Sequence, residues 1–207
     1  MASFPHKFSA DDVVIDSVET AFQGFFRLER ITFRHPLFAG GMSQPTQREV
    51  FERGDAVVVL PYDARRDAVV LVEQIRIPAL RTAANPWQLE LVAGIVEAGE
   101  SAADVAKREL MEESGLTALS LHKICSYLPS PGGCSERHTL YLAQVTVADE
   151  RQVFGLASEQ EDIRRHVVSR TEAMALLQAG SIDNAATVIG LQWLALNLAA
   201  LPELAAE

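Results

Sequence analysis

The order of apolar and polar positions along the chain predicts short strands separated by turns and a few helices. Partial alternation over residues 13–35 indicates one or two strands, and a turn-rich bridge follows at 36–45. Continuous apolar runs at 56–60 and 68–77 are typical of strands covered on both faces, with a turn at 61–67 between them. Further strands are expected at 86–93, 123–128, 137–145 and 163–168.

The last quarter of the chain predicts a loop, a strand and two helices. Residues 149–162 are polar and acid-rich, which is typical of a flexible surface loop. A short helix is expected at 170–178, and a closing helix begins near Ile182. Four residues of the closing helix recur at helical spacing and indicate packing against the core or another subunit rather than a cofactor site: Ile189, Trp193, Leu196 and Ala200.

One helix, at residues 102–114, is predicted in more detail than the others. Ser101 suits its N-cap, and Asp104 forms a variant of the capping box in which a short acid replaces Glu or Gln. Gly115 can adopt the left-handed conformation that ends a helix. Three residues form a narrow packing stripe along it: Ala103, Ala106 and Leu110.

Three acids share one face of this helix. Glu109, Glu112 and Glu113 fall within an arc of roughly 100°. One interpretation is a solvated acidic face, partly balanced by Arg108, which pairs with Glu112 at i, i+4. The other is a site for a hard cation, because like charges at helical spacing cost about 0.2 to 0.5 kcal/mol per pair and Mg²⁺ prefers oxygen ligands. Spacing alone leaves both interpretations open.

Composition limits the partners of the chain. Lys plus Arg is 18 and Asp plus Glu is 28, a net charge of -10, which argues against nucleic acid as the main partner. The two cysteines, Cys125 and Cys134, are too few for a disulfide framework and favour a reduced, cytoplasmic setting. Residues 1–12 hold no long apolar segment, and the apolar stretch 190–206 is interrupted by polar residues and proline. No membrane partner is therefore expected.

The 23 residues from Gly94 to Leu116 carry nine specified positions, called the box below: Gly94, Glu100, Arg108, Glu109, Leu110, Glu112, Glu113, Gly115 and Leu116. In this pattern the chain resembles the Nudix hydrolases, which cleave nucleoside diphosphates linked to another group. The resemblance implies an α/β protein of the α+β type, with a Nudix fold in which an αβα sandwich surrounds a mixed sheet. It also implies a metal-dependent attack of water on a phosphoanhydride.

Motifs outside the box extend the resemblance over nearly the whole chain, toward the branch of the family that cleaves ADP-ribose. They lie at 23–26, 48–54, 73–76, 130–133, 161–164 and 183–186. The resemblance implies an N-terminal β extension at 1–47, exchanged between the two copies of a homodimer, and a catalytic domain at 48–207.

Carried over to this sequence, the resemblance implies a metal site built from three carboxylates and one carbonyl: Glu109, Glu113, Glu161 and the carbonyl of Ala93. It implies that Glu112 supports this site, and that Glu159 acts as the general base or orients the attacking water. Mg²⁺ is the expected metal, with Mn²⁺ as the alternative.

Four residues are implied to bind the substrate. Arg76 and Arg48 would hold the diphosphate, Phe25 would stack on the adenine, and Glu136 would contact the terminal ribose. Arg76 also stands out from the pattern itself, because it ends an apolar strand, where a charged side chain should find a partner or emerge at a site.

The resulting hypothesis is hydrolysis of ADP-ribose to AMP and ribose 5-phosphate. The nearest alternative keeps the fold and the reaction but takes GDP-mannose or another nucleotide sugar as the substrate. An alternative of another class is a non-hydrolytic nucleotide-sensing module. The presence of every box carboxylate and the lack of a basic recognition segment in the sequence argue against that module.

Overall fold

The structure, a computed structural model, describes residues 4–148 and 151–201. The outer ends of both predicted domains, and residues 149 and 150 of the predicted loop, lie outside these ranges. The strands are β1 (Val14–Gln23), β2 (Arg27–Arg34), β3 (Thr46–Glu52), β4 (Ala56–Asp63), β5 (Ala68–Ile75), β6 (Trp87–Glu90), β7 (Val92–Ile95), β8 (Ser120–Tyr127), β9 (His138–Gln144), β10 (Val153–Phe154) and β11 (Ile163–Ser169). The α-helices are α1 (Ala102–Ser114), α2 (Arg170–Gln178) and α3 (Ala185–Asn197).

A first compact unit comprises residues 4–54 and Ser130–Glu136. Its sheet is antiparallel, in the order β1-β2-β3. The apolar pattern does not reveal β3, because most of this strand is polar and its residues alternate only partly between exposed and half-buried positions. The expected boundary at residue 47 falls inside β3. The division into a dimerising extension and a catalytic domain stays a prediction.

A second unit comprises residues 55–129 and 137–201. Its main sheet has the order β10-β11-β5-β4-β9-β8, with β6 added beside β5 and β7 beside β4. Strands β4 and β9 run parallel and the other pairs are antiparallel, so the sheet is mixed. Helix α1 packs on one face, and α2 and α3 pack on the other. The predicted αβα sandwich around a mixed sheet is therefore confirmed.

Strand β4 lies at the centre of this sheet and supplies both layers of the core. Val57 and Val59 face the α1 layer, whereas Val58 and Leu60 face the α2 and α3 layer. All four are at most 1% exposed. Burying each such side chain stabilises the fold by about 1.5 to 3 kcal/mol. The continuous apolar run predicted this two-sided burial, because every side chain of a doubly covered strand enters a core.

The predicted turn at 61–67 is wrong over its first half. Strand β4 continues to Asp63, and the turn occupies only residues 64–67. Pro61 and Tyr62 pair in parallel with Ala143 and Gln144 of β9 and are buried. Pairing with the neighbouring strand thus outweighs the turn preference of proline.

The predicted surface loop at 149–162 contains regular structure in its described part. Strand β10 pairs with β11, and residues Ala157–Glu159 form a 3₁₀ turn. Phe154 is only 7% exposed. Because the acid-rich composition hides this single buried aromatic ring, the sequence does not indicate that the segment is attached to the core.

Helix α1 begins and ends where the sequence predicts. Ser101 Oγ accepts the N–H of Asp104 at 3.2 Å, and Gly115 ends the helix with φ 68°. In a capping box the side chain of Asp104 would accept the backbone N–H of Ser101. Here the carboxylate of Asp104 accepts the hydroxyl of Ser101 instead, at 2.7 Å. The predicted capping-box variant is therefore wrong in its second bond.

Helix α3 packs against the core, and Ile189 and Trp193 of the predicted stripe are partly buried in that contact. Its buried residues are Thr187, Gly190, Leu191 and Leu194. Leu196 is 85% exposed and does not pack in the core of the chain, so packing against another subunit stays the prediction for this residue. Gly190 lets the helix lie close to the sheet, because an added Cβ there would lie 2.6 Å from Leu91 Cδ1. Within the described residues, no helix is long and apolar enough to cross a membrane.

Candidate active site

The three box acids of α1 differ in burial. Glu113 is 2% exposed, whereas the side chains of Glu109 and Glu112 are 13% and 25% exposed. Glu113 follows Ala106 and Leu110 at positions i+7 and i+3, so it lies on the same stripe that packs the helix onto the sheet. The helical period therefore carries this carboxylate into the interior.

Glu113 contacts the strand that precedes the helix. Its Oε2 accepts the N–H of Ala93 at 3.1 Å. Ala93 lies opposite Val58 of β4. Hydrogen-bonded and non-hydrogen-bonded pairs alternate along an antiparallel ladder, and the N–H of Val96, three residues further along, donates to Asp55. Ala93 is therefore at a position that forms no hydrogen bond with β4. Both backbone groups of Ala93 thus point away from β4. Its carbonyl is the predicted metal ligand, and it lies on the side of the strand that Glu113 approaches.

Gly94 lets the carboxylate of Glu109 lie against the backbone of β7. A Cβ at position 94 would overlap Oε1, Cδ and Cγ of Glu109. The φ of Gly94 is not positive, so the backbone angle does not require glycine here. The box glycine is explained by the close approach of a side chain.

Glu161 lies close to the α1 acids, whereas Glu159 points toward solvent. Burial is the main reason that the pKa of both Glu109 and Glu113 is raised, and the charge of Glu161 adds to the shift of each. Its Oε2 accepts the N–H of Leu156 at 3.1 Å, which fixes the carboxylate. Glu159 ends the 3₁₀ turn and is exposed. The structure therefore places Glu109, Glu113 and Glu161 in one region, although the three carboxylates do not converge on a single point, and it leaves the predicted base at the rim of the loop.

Burial is the main cause of the electrostatic properties of the cluster. Burial raises the pKa of Glu113 to about 8, against the N–H of Ala93 and with help from the charges of Glu109 and Glu161. Burial also raises the pKa of Glu109 to about 7, against the charge of Arg108. The two carboxylates therefore destabilise each other when both are ionised.

Arg108 supplies a positive charge beside these acids. Its Nη1 lies 2.9 Å from Glu109 and 3.1 Å from Glu112, and its Nη2 lies 3.6 Å from Glu100.

Within residues 4–148 and 151–201, no three His, Cys, Asp or Glu side chains converge closely enough to enclose a metal ion. The donor set still fits Mg²⁺, which binds through one or two carboxylates and keeps several waters.

Arg76 lies beside the same cluster and is held by Glu90, a residue not expected at the site from the sequence. Its Nε donates to Glu90 Oε2 at 2.8 Å. Burial raises the pKa of Glu90, and Arg76 opposes that shift. The other four guanidinium donors are on the two terminal nitrogens, whose geometry matches a phosphate. Arg76 stands out in the sequence as a charged residue in an apolar strand. The same criterion would identify Glu90, which lies between Leu89 and Leu91.

The other three predicted substrate-binding residues belong to the first unit. Phe25 is 87% exposed and packs edge-on against Phe26, with 4.7 Å between ring centroids. Arg48 is exposed on β3 and donates to the preceding carbonyl at 2.8 Å. Glu136 is 6% exposed and lies 3.3 Å from Arg53 Nε. Since the Arg53 guanidinium covers the Phe26 ring at 5.2 Å, contacts connect Phe25 to Glu136 within this unit.

A cleft of about 520 Å³ lies on the α2 side of the second unit. Trp87, His166 and Asp183 are among its lining residues. None of the predicted site residues lines it, so cavity size does not identify the active site here. The cluster of carboxylates on and beside α1 identifies it instead.

The fold and the carboxylate-bearing helix define the class of this protein. The family model described as the NUDIX domain matches residues 52–199. This match covers well over half of the chain, and the chain belongs to the Nudix family. The family predicted from the box is confirmed.

Relatives match the chain over nearly its whole length. The ADP-ribose pyrophosphatase of Escherichia coli (strain K12) is 51% identical over 199 residues, which are 96% of this chain and 95% of that protein. The ADP-ribose pyrophosphatase of Haemophilus influenzae is 46% identical over 206 residues, or 98% and 94% of the two chains. The GDP-mannose pyrophosphatase of Yersinia enterocolitica is 31% identical over 173 residues, or 83% and 88%. A crystal structure of an ADP compounds hydrolase shares the fold, with a TM-score of 0.71 at 21% identity, and covers 94% of this chain and 98% of that chain.

Proposed function

We propose that this protein is a metal-dependent pyrophosphatase that hydrolyses ADP-ribose to AMP and ribose 5-phosphate. The observation that carries the proposal is the carboxylate cluster against β7, in which Glu113 is buried, Glu109 is half-buried and the charge of Glu161 acts on both. Ionised groups are costly in a protein interior unless a partner offsets that cost. A divalent cation and an anionic substrate are partners of the required charge and chemistry.

The choice of substrate is supported by the relatives. Those named ADP-ribose pyrophosphatase are 51% and 46% identical to this chain, whereas the one named GDP-mannose pyrophosphatase is 31% identical. Hydrolysis of GDP-mannose remains the alternative of the same fold and reaction.

The cation would be held by Glu109, Glu113 and Glu161 together with the carbonyl of Ala93. Mg²⁺ is the proposed ion and Mn²⁺ is the alternative. When bound, it would neutralise charge on the phosphate oxygens and activate the attacking water. Glu112 supports the site through its pair with Arg108, which lies 3.1 Å away on the outer side of the helix.

Glu159 takes the proton of the attacking water or orients that water. The water oxygen forms a bond to one phosphorus atom while the bond from that phosphorus to the bridging oxygen breaks. A general base contributes about 10² to 10⁴-fold in rate. An exposed carboxylate on a short 3₁₀ turn is accessible to a water beside a bound diphosphate.

Guanidinium and aromatic groups bind the substrate in this proposal. Arg76 and Arg48 hold the diphosphate through N–H donors that match phosphate oxygens. Phe25, whose ring is exposed, stacks on the adenine. Glu136 contacts the terminal ribose.

A homodimer is also part of the proposal. Ile15 and Val18 on β1 are each 54% exposed, and a bulge at Asp16 places them opposite Phe33 and Ile31 on one face of the three-stranded sheet. Contiguous exposed apolar side chains are typical of an interaction surface.

A cytoplasmic location stays a prediction from the sequence.

Product analysis tests the proposed function. The purified protein is incubated with ADP-ribose, GDP-mannose or a dinucleotide polyphosphate at equal concentration, each with Mg²⁺, with Mn²⁺ and with a chelator. We expect AMP and ribose 5-phosphate from ADP-ribose at the highest kcat/KM, and no product with the chelator. A higher kcat/KM for GDP-mannose would overturn the substrate assignment, and undiminished turnover with the chelator would overturn the metal dependence.

A further inference from the structure

Arg165 is a buried charged residue that the proposed mechanism does not use. It lies on β11 opposite Val72, which places it on the α1 side of the sheet, and it is 4% exposed. An apolar side chain would fill this position without the cost of removing a charge from water. A guanidinium retained in such a place therefore calls for a specific role.

Arg165 contacts the last turn of α1. Its Nη1 donates to the carbonyl of Ser114 at 2.7 Å. The last four carbonyls of a helix have no partner within the helix and carry its negative dipole end. A cation at this point stabilises the helix that carries Glu109 and Glu113.

The segment after β10 contacts the same helix end. Gly155 N–H donates to the carbonyl of Glu112 at 3.2 Å. The Phe154 ring packs where a side chain at Gly115 would overlap it, and the guanidinium of Arg165 lies 4.7 Å from the centre of that ring. Arg165 thus contacts both the helix end and the aromatic ring that attaches the loop to it.

The residues after Gly155 form a closed loop that carries two of the proposed functional carboxylates. Leu156 N–H donates to Glu161 Oε2 at 3.1 Å, and Glu161 N–H donates to the carbonyl of Leu156 at 3.2 Å. Gly155 has φ 99°, and a Cβ there would lie 2.8 Å from that of Glu161. Glu159 lies between these two ends. The loop is therefore fixed at its base, and the base is fixed to α1.

We propose that Arg165 is a positioning residue for the hydrolysis: it holds the loop 155–161, and with it Glu159 and Glu161, in place relative to the carboxylates of α1. This inference rests on the proposed function, because it assumes that the two sets of carboxylates act together on one diphosphate. A displacement of about 1 Å between reacting groups can cost about 10²-fold in rate. Arg165 would therefore affect the chemical step and not substrate binding.

The test replaces Arg165 by an apolar residue of similar length. Arg165→Met keeps the volume and removes the charge, and Arg164→Met removes the neighbouring guanidinium, which is exposed on the opposite face of β11. Steady-state kinetics with ADP-ribose and Mg²⁺ give kcat and KM separately, after circular dichroism has shown that each variant is folded. We expect kcat to fall about 10 to 100-fold in Arg165→Met with KM within about threefold, and Arg164→Met to match the wild type.

Two further variants keep the test decisive if Arg165→Met does not fold. Gly155→Ala adds a Cβ that would overlap Glu161 and displace it, while Arg165 stays in place. We expect the same fall in kcat. Arg165→Lys retains the charge, and we expect it to recover part of the lost kcat. In a Glu159→Gln background, Arg165→Met should cost less than in the wild type, because one of the two carboxylates that it positions is already disabled.

The outcomes separate this inference from the function on which it rests. A wild-type protein that leaves ADP-ribose intact overturns both. A wild type that hydrolyses ADP-ribose, with a folded Arg165→Met variant of equal kcat, overturns the inference alone. A rise in KM at unchanged kcat, or full additivity with Glu159→Gln, also overturns it.

Discussion

The two faces of the central sheet are built from different chemistry. On the α2 and α3 face, Leu60, Leu71, Leu191 and Leu194 are fully buried, and the buried hydroxyl of Thr187 accepts the N–H of Leu91 at 3.0 Å. On the α1 face, a core made mostly of valine and alanine is interrupted by charged residues, Glu113 at 2% and Arg165 at 4% exposure.

The difference shows where stability and chemistry are located. Apolar packing and one satisfied hydroxyl stabilise the fold, whereas a buried carboxylate with a raised pKa destabilises it unless a partner is present. The α1 face keeps such groups because a hydrolase needs charge at the reacting atoms. Substitutions of the charged residues on the α1 face should therefore mainly lower activity, whereas substitutions on the α2 and α3 face should mainly lower stability.

The largest effect on activity is expected from Glu113→Gln. Gln has nearly the same shape and its carbonyl can still accept the N–H of Ala93, but it lacks the charge that a cation requires. Since a bound cation contributes several kcal/mol of transition-state stabilisation, kcat should fall about 10³-fold while KM changes little. Unchanged turnover would rule out the metal role of Glu113.

Glu159→Gln should have the next largest effect. We expect kcat to fall about 10²-fold, which is the lower end of the contribution of a general base, and to fall less if Glu159 only orients the water. The control is Asp162→Asn, which neutralises an exposed acid of the same loop. Equal kcat in Glu159→Gln and Asp162→Asn would remove Glu159 from the mechanism.

Glu90→Ala should have a smaller effect, exerted through Arg76. The substitution removes the carboxylate that orients the guanidinium at 2.8 Å, so we expect kcat/KM to fall about 10-fold, mainly through KM. In an Arg76→Ala background the same substitution should cost little. A full 10-fold loss in that background would show that Glu90 acts independently of Arg76.

Leu194→Ala on the opposite face should leave catalysis nearly unchanged. Leu194 is fully buried, and its truncation should lower the free energy of unfolding by about 2 to 5 kcal/mol. The kcat of the folded fraction should stay within about twofold of the wild type. Chemical denaturation and kinetics on the same sample measure both quantities. A large loss of kcat in folded protein would contradict the division between the faces.

Much of the α1 region could be predicted because its signals are local. Ser101 and Gly115 mark the helix ends, and the helical period alone places Glu109, Glu112 and Glu113 on one face. Sequence pattern could mark Glu90 as a charged residue in an apolar strand, but it could not predict the pairing of Glu90 with Arg76 or of Arg165 with Ser114, because the two residues of each pair are distant in sequence.

The errors in the predicted fold have the same origin. Strand β3 is polar and depends on pairing with β2. Leu196 has the spacing of a packing residue, but α3 contacts the sheet through Gly190, Leu191 and Leu194, and Leu196 is exposed in the single chain. In both cases contacts with other elements decide the outcome, and local pattern does not.

The cost of the charged face also depends on pH. The pKa of Glu113 is about 8 in the folded protein, against an ordinary value of 4.5. Between these values the folded state binds a proton that the unfolded state has released, so stability falls as pH rises from about 4.5 to 8. Without metal, the carboxylate of Glu113 is therefore most destabilising at pH 8 and above.

Thermal unfolding of the wild type and Glu113→Gln, in chelator and in Mg²⁺, tests most directly whether the α1 face holds a cation site at the expense of stability. In chelator at pH 8 we expect Glu113→Gln to melt about 2 to 8 °C above the wild type, and the difference to shrink toward pH 5. Mg²⁺ should raise the Tm of the wild type and leave the variant nearly unchanged. A variant that melts below the wild type in chelator, with no effect of Mg²⁺ on the wild type, would contradict the proposed cation site.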